Sequence, residues 1–243
     1  MKRKRGIYKR ELDTAIDEFV ARLPLQPAKP ELFRIAFTHS SYGNEHNLPH
    51  NERLEFLGDS VIAVIVCSFL YHLYPNYTDG QLAKLKSTIV STEVFVSFAQ
   101  QLELNRFFRL GHGELRSDGL NKRNLLEDLF EAFIGAYYLN FGLEATTEFI
   151  VPLIKERLPE LIRQTKELNA KTDLQEWAQL RGKWMPEYRL LKDEGPPHNR
   201  TFTVEVLYKK QVLGCGTAKT LKEAQCKAAV IALEKVRKPG AKF

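Results

Sequence analysis

The 243-residue chain is 44% hydrophobic and 27% charged, enough apolar material for a packed core and too much for a disordered or fibrous chain. At roughly 150 residues per domain it has room for about 1.6 domains, one large or one large plus one small. Its formal charge of +6 divides into +5 over residues 1–11, −6 over residues 12–163 and +7 over residues 164–243, an acidic body between basic ends that suits work around a polyanion.

The basic N-terminal segment (Lys2, Arg3, Lys4, Arg5, Lys9, Arg10) has no apolar run behind it, so a secretory leader is not expected. Leu12, Ile16, Phe19, Val20 and Leu23 form a helical stripe, which Pro24, Pro27 and Pro30 interrupt. Leu32, Ile35 and Ala36 predict a short helix over 31–41, and the polar segment 43–49 reads as a loop. A long helix is predicted from Asn51 to about Leu73, ended by Pro75-Asn76. The uncharged run from Ser60 to Thr78 has too short an apolar part, and too many polar residues, for a membrane span. A buried helix is expected there, with Cys67 in the core. Further helices are predicted over 79–89, 91–104, 125–139 and about 144–162, with Pro152 as a kink or boundary. The segment 105–124 reads as a loop with at most a short helix.

After a polar stretch at 164–171 the pattern changes. A short helix over 173–181 precedes period-two alternation over 186–192 and 201–217, with Phe202, Val204, Val206 and Tyr208 on one face and Thr201, Thr203, Glu205 and Leu207 on the other. Lys209-Lys210 marks a hairpin turn. In a last helix over 220–237, Leu221, Ala224, Ala228 and Ile231 fall on one side. The reading is an all-α domain over 11–163, a linker at 164–171, and a small α+β domain in the order α-β-β-β-α over 172–238. Cys67, Cys215 and Cys226 show no paired spacing, which excludes a disulfide scaffold or zinc cluster and favours a reducing compartment.

Two acidic runs stand out. In Asn51-Glu52-Arg53-Leu54-Glu55-Phe56-Leu57-Gly58-Asp59-Ser60, Glu52, Glu55 and Asp59 share one helix flank, where like charges repel unless a cation lies between them. In Glu127-Asp128-Leu129-Phe130-Glu131, Asp128 and Glu131 share a face, and the small residues Ala132, Gly135 and Ala136 would let another helix approach closely. Together they could form an all-oxygen site for Mg²⁺ or Mn²⁺, or be solvent-facing acids with Arg53 and Lys122 as partners. Spacing alone leaves both open.

The first run resembles the signature of the ribonuclease III family, Glu127 to Tyr137 resembles its second acidic motif, and Phe37-Thr38-His39-Ser40-Ser41 resembles a short motif near the start of its catalytic domain. The resemblance implies that Glu55, Asp59, Asp128 and Glu131 hold Mg²⁺, with Mn²⁺ as a substitute, and that Asp59 and Glu131 are catalytic. Glu52 would be a further acid near the cleavage site. Asp79, where many relatives have Glu, would meet substrate with a shorter reach. Phe56 would pack across a homodimer interface, its alternative being ordinary core packing. His39 is read as structural or backbone-contacting and His112 as a surface residue.

The C-terminal part resembles the double-stranded-RNA-binding domain through Asp173-Leu174-Gln175-Glu176, Gly195-Pro196-Pro197-His198 and Lys222-Glu223-Ala224 leading into Ala228-Ala229. That places Gln175 and Glu176 in one minor groove, Pro197 and His198 in the next, and Lys222, supported by Lys219 and Lys227, on phosphates. Leu221-Lys222 departs from the consecutive lysines of many relatives. The implied activity is divalent-metal-dependent hydrolysis of double-stranded RNA to 5′-phosphate and 3′-hydroxyl ends. It would be carried out by a cytoplasmic homodimer, joined through the catalytic domain and not membrane-bound, that processes ribosomal, messenger and transfer RNA precursors. The rival readings are a catalytically silent duplex-RNA-binding protein and a nuclease for other nucleic acids.

Overall fold

Apolar residues at helical spacing, separated by prolines and short polar turns, set the helices of the first part of the chain. In the computed structural model we describe residues 2–182, 184–196 and 199–237, with the backbone alone for residues 2–11 and 168. The elements are α1 (Lys2–Ala21), α2 (Glu31–Ala36), α3 (Ser40–His46), α4 (Glu52–Leu73), α5 (Asp79–Ile89), α6 (Thr92–Gln101), α7 (His112–Arg116), α8 (Arg123–Gln179), β1 (Glu187–Glu194), β2 (Thr201–Tyr208), β3 (Gln211–Ala218) and α9 (Leu221–Val236). Short 3-10 turns cover Leu104–Phe107 and Gly119–Asn121. The chain divides into two compact units, Met1–Leu158 and Pro159–Phe243.

The first unit is helical and packs around aromatic rings. Phe19, Phe33, Phe37, Phe107, Phe133, Tyr137, Phe141 and Phe149 form one connected cluster, with neighbouring centroids from 4.6 to 6.4 Å apart. Phe130 packs against Phe95 and Phe98 of α6. A charged tie crosses this core: buried Arg109 pairs with Asp13 of α1 and donates to the Thr38 hydroxyl at 3.3 Å. The Arg109 backbone also bridges to Phe37 and His39.

Three expectations are corrected in this unit. The segment predicted as a loop over 43–49 begins within α3, because the His39 ring accepts from the Ser41 amide and caps that helix. Pro152 does not end a helix. The interruption in α8 falls at Gly142, whose φ of +78° favours glycine over residues with a side chain. And α4 is only half covered. Leu54, Val61, Ile62, Ile65, Val66 and Leu70 face the core, whereas Phe56 (78%), Val64 (56%) and Tyr71 (69%) are exposed, and Cys67 with them. By length and composition α4 could cross a membrane, but one face is committed to the core and its first turns carry three acids.

In the second unit, β1, β2 and β3 form an antiparallel sheet in that order. Lys209 and Lys210 both take positive φ, the backbone of a two-residue hairpin turn. Val204, Val206 and Tyr208 are buried as the alternation predicts. On α9 the buried line is Ala224, Ala228, Ala232 and Val236, while Leu221 and Ile231 are exposed, contrary to the predicted face. The reason is β3: a Cβ at Gly214 or Gly216 would lie 2.4 Å from the Ala228 backbone, so only small residues fit opposite. The polar stretch 164–171 is helical, part of α8, since Leu161 and Ala170 are buried and Arg163 bridges Glu160 and Glu167. Trp177 packs edge-on against Tyr208 at 5.1 Å.

The tightest contact in the first unit is between α4 and α8. A Cβ at Gly58 would sit 1.8 Å from the Glu131 carbonyl oxygen, and one at Gly135 2.2 Å from that of Leu54. Gly58→Ala therefore forces the helices apart and costs about 1–3 kcal/mol. Gly80→Ala, with nothing within 4 Å, leaves stability unchanged or slightly higher. Thermal unfolding of the two variants checks this, and equal melting temperatures would refute the crossing as a constraint.

Candidate functional site

The Gly58–Gly135 crossing sets the acids of α4 beside those of α8. Carboxylate oxygens of Glu55, Asp128 and Glu131 all lie within 4.8 Å of one another. Asp59, one turn on from Glu55, is exposed and stands outside that group, yet its charge is the strongest ionic influence on Glu131. The structure thus brings three of the four sequence-predicted ligands together and leaves the fourth at their rim.

Such crowding works against ionisation. Burial, then the Asp128 charge, pushes Glu55 up to about 7. Burial, then Glu127, raises Asp128 to about 6. Burial, then Asp59, raises Glu131 to about 8. Glu127, which adds to all three shifts, is a neighbour that spacing did not single out as a ligand. Of the two cations that solvent-facing acids would have used, Lys122 is engaged elsewhere, donating to Glu114 at 2.7 Å and to Ser117 at 2.8 Å, and Arg53 is exposed on α4. The cluster has the charge and the donor chemistry for a divalent cation.

The other predicted residues of this unit lie outside the 4.8 Å group, although the Glu52 charge adds to the shifts of Glu55 and Asp128. Glu52 is exposed in the first turn of α4, with the His50 ring 3.7 Å away. Asp79 opens α5, whose capping box is formed by Thr78 and Gln81. It lines a groove between α4 and α5 of about 470 Å³, together with Cys67, Leu70, Tyr71, Leu82 and Lys86. Phe56 is exposed, so core packing within the chain does not account for it. His39 serves as the backbone cap of α3, and burial lowers its basicity. The His112 amide donates to Glu45 at 2.8 Å.

In the second unit, Gln175, Glu176, Lys219 and Lys222 are all exposed. Thr220 caps α9 through the Glu223 amide. Lys219 donates to the Asn199 side chain, which ties the β1–β2 loop to the approach to α9, and Lys227 reaches the Thr217 carbonyl at 3.3 Å. Pro197 and His198 lie outside the described residues. Arg200 holds that loop from its other side, forking onto Asp193 with two bonds of 2.6 Å.

Comparison with known proteins places both units. A family model described as ribonuclease-III-like matches residues 29–158, and one described as the double-stranded RNA binding motif matches residues 170–236. The chain is similar to "Ribonuclease 3" of Latilactobacillus sakei, 40% identical over 225 residues, covering 91% of this chain and 97% of that protein. It is likewise similar to "Ribonuclease 3" of Bacillus licheniformis, 41% identical over 224 residues, covering 91% and 90%. Among solved structures, the nuclease domain of ribonuclease III from Campylobacter jejuni, described for flexibility in its region of dimer formation, superposes with a TM-score of 0.55. That match has 32% identity and covers 59% of this chain and 99% of that one.

The raised acids give the site a pH signature. A carboxyl whose folded pKa exceeds its unfolded value holds its proton only in the folded state, so stability is lost as pH rises through the window from about 4 to 8. In chelator, Glu131→Gln is expected to melt above the wild type at pH 8.5, with the gap closing by pH 5. A gap that does not change with pH would show that Glu131 carries no such strain.

Proposed function

Because the chain belongs to the ribonuclease III family, with an all-helical catalytic domain and a double-stranded-RNA-binding domain, we propose that it is an endonuclease that hydrolyses double-stranded RNA to 5′-phosphate and 3′-hydroxyl ends. The observation that carries this reading is the convergence of Glu55, Asp128 and Glu131 within 4.8 Å. Their all-oxygen donor set, in which burial and then neighbouring acids push each carboxyl towards its neutral form, fits a hard divalent cation, Mg²⁺ with Mn²⁺ as a substitute. These three would hold it, with Asp59 completing the set from the exposed side. When bound, such a cation supplies positive charge for the scissile phosphate and eases deprotonation of the attacking water.

The chain's own residues divide the remaining work. Glu131 anchors the cluster from α8, and exposed Asp59 orients the attacking water from the solvent side. Glu52 and Asp79, both exposed, approach the RNA backbone near the cut. In the second domain, Gln175 and Glu176 meet the minor groove while Lys219 and Lys222 meet phosphates, so recognition follows A-form shape more than base sequence. Pro197 and His198 are assigned to the next minor groove on the family's pattern.

The exposed apolar flank of α4 supports a homodimer through the catalytic domain. Phe56, Val64, Cys67 and Tyr71 are all exposed on α4, the last two lining the α4–α5 groove. Exposed apolar residues of this kind are what a second protomer covers. Two sites related by the dimer axis then cut opposite strands. We place the enzyme in the cytoplasm, off the membrane, acting on structured precursors of ribosomal, messenger and transfer RNA.

The test is cleavage of duplex RNA, duplex DNA and single-stranded RNA, with Mg²⁺ or with chelator. Wild type is expected to cut duplex RNA alone and only with the cation. Glu131→Gln should bind duplex RNA but cut at least about 100-fold more slowly. A wild type that binds duplex RNA yet leaves it intact in Mg²⁺ is the silent binder, and one that cuts DNA equally well is a different nuclease. For the dimer, Phe56→Asp should shift sedimentation from two protomers to one, and an unchanged dimer would remove α4 from the interface.

A further inference from the structure

Lys171 has no role in the site described so far, but its surroundings are unusual for a lysine. It lies one turn before Gln175 on α8, and its ammonium donates to the Gln225 side-chain oxygen at 2.7 Å. Gln225 lies one turn after Lys222 on α9. Residues three and four apart share a helix face, so the ammonium sits where the face carrying Gln175 meets the face carrying Lys222. It also lies 5.0 Å from the centre of the Tyr188 ring.

Both partners are neutral. A carboxamide accepts a hydrogen bond without cancelling the charge, and burial, then Cys226, pushes the Tyr188 phenol up to about 12. The acids nearest in sequence are committed to arginines, Glu167 to Arg163 at 2.8 Å and Asp173 to Arg237 at 3.6 Å. An ammonium has three donors, of which Gln225 takes one. Half-buried, gripped by an amide and lying over a ring, the side chain is already ordered, so little rotamer freedom is left to lose on binding an anion.

We propose that Lys171 is a phosphate-binding residue of the duplex-RNA site, held by Gln225 and Tyr188 to bridge the backbone contacts of α8 and α9. The inference rests on the reading of the second domain as an RNA binder and adds to it a cation outside the α9 lysines. Gln225 is a positioning residue: its neutrality keeps the Lys171 charge available.

Fluorescence anisotropy of the full chain with a duplex of roughly 20 base pairs, in chelator over a series of KCl concentrations, tests it. Gln225→Glu keeps the geometry but neutralises the ammonium in place. It should weaken binding roughly fivefold near physiological salt and lower the slope of log affinity against log salt by about one. Lys171→Met should do the same, and adding Gln225→Ala to it should cost little more. Unchanged slopes in both single variants would overturn the proposal. So would a Lys171→Met loss that comes with unchanged slope and a lower melting temperature, which marks a packing role. A wild type that does not bind duplex RNA at all would instead overturn the domain reading beneath it.

Discussion

Where α4 crosses α8, Gly58 lies against the Glu131 carbonyl and Gly135 against that of Leu54, with no side chain between the backbones. Helices packed over ordinary side chains keep their axes about 8–10 Å apart. This pair comes closer, and carboxylates from each helix can reach one point. The aromatic core around Phe133 and Tyr137 then holds α8 in that position. Stability and chemistry share a single contact: the same glycines that let the helices touch also force acids into proximity that electrostatics disfavours.

Two cations of this unit are spent elsewhere than on that strain. Lys122 is tied to Glu114, and Arg109 lies buried against Asp13. Three carboxyls remain pushed towards their neutral forms, a condition that an external cation relieves. The second unit follows the opposite rule. Three of its lysines rest on uncharged groups, Lys219 on Asn199, Lys227 on a backbone carbonyl and Lys171 on Gln225, so these charges are not cancelled locally, whereas its arginines Arg163, Arg200 and Arg237 are paired with acids. The segmental charges of −6 and +7 are the outward sign of these two habits.

Much of this was legible in the residues. Helical stripes and period-two alternation gave the two-part architecture, and i, i+3 and i+4 acids gave the cluster, because both depend on spacing along one element. What failed depended on what lies across from an element. Leu221 and Ile231 match a helical face as well as Ala232 and Val236 do, and only the glycines of β3 decide between them. The α4 helix with Cys67 read as buried because an apolar residue such as Val64 or Tyr71 does not report which surface covers it. Pro152 was a more conspicuous breaker than Gly142, yet a positive φ rather than a missing amide set the break. The Arg109–Asp13 pair, 96 residues apart, left no local signal.

The fit of α9 on β3 has a mechanical consequence. Gly214 and Gly216 meet Ala224, Ala228 and Ala232 backbone against backbone, so along that line no long side chain lies between helix and strand to change rotamer and cushion a movement. A helix seated this way has almost no play: it cannot roll or slide by a fraction of a turn without collision. The cations and amides along its outer edge are thereby held at a set pitch, like the teeth of a gauge. A gauge without slack discriminates by width, which on the proposed reading would let a small domain reject a helix of the wrong groove spacing without reading a single base.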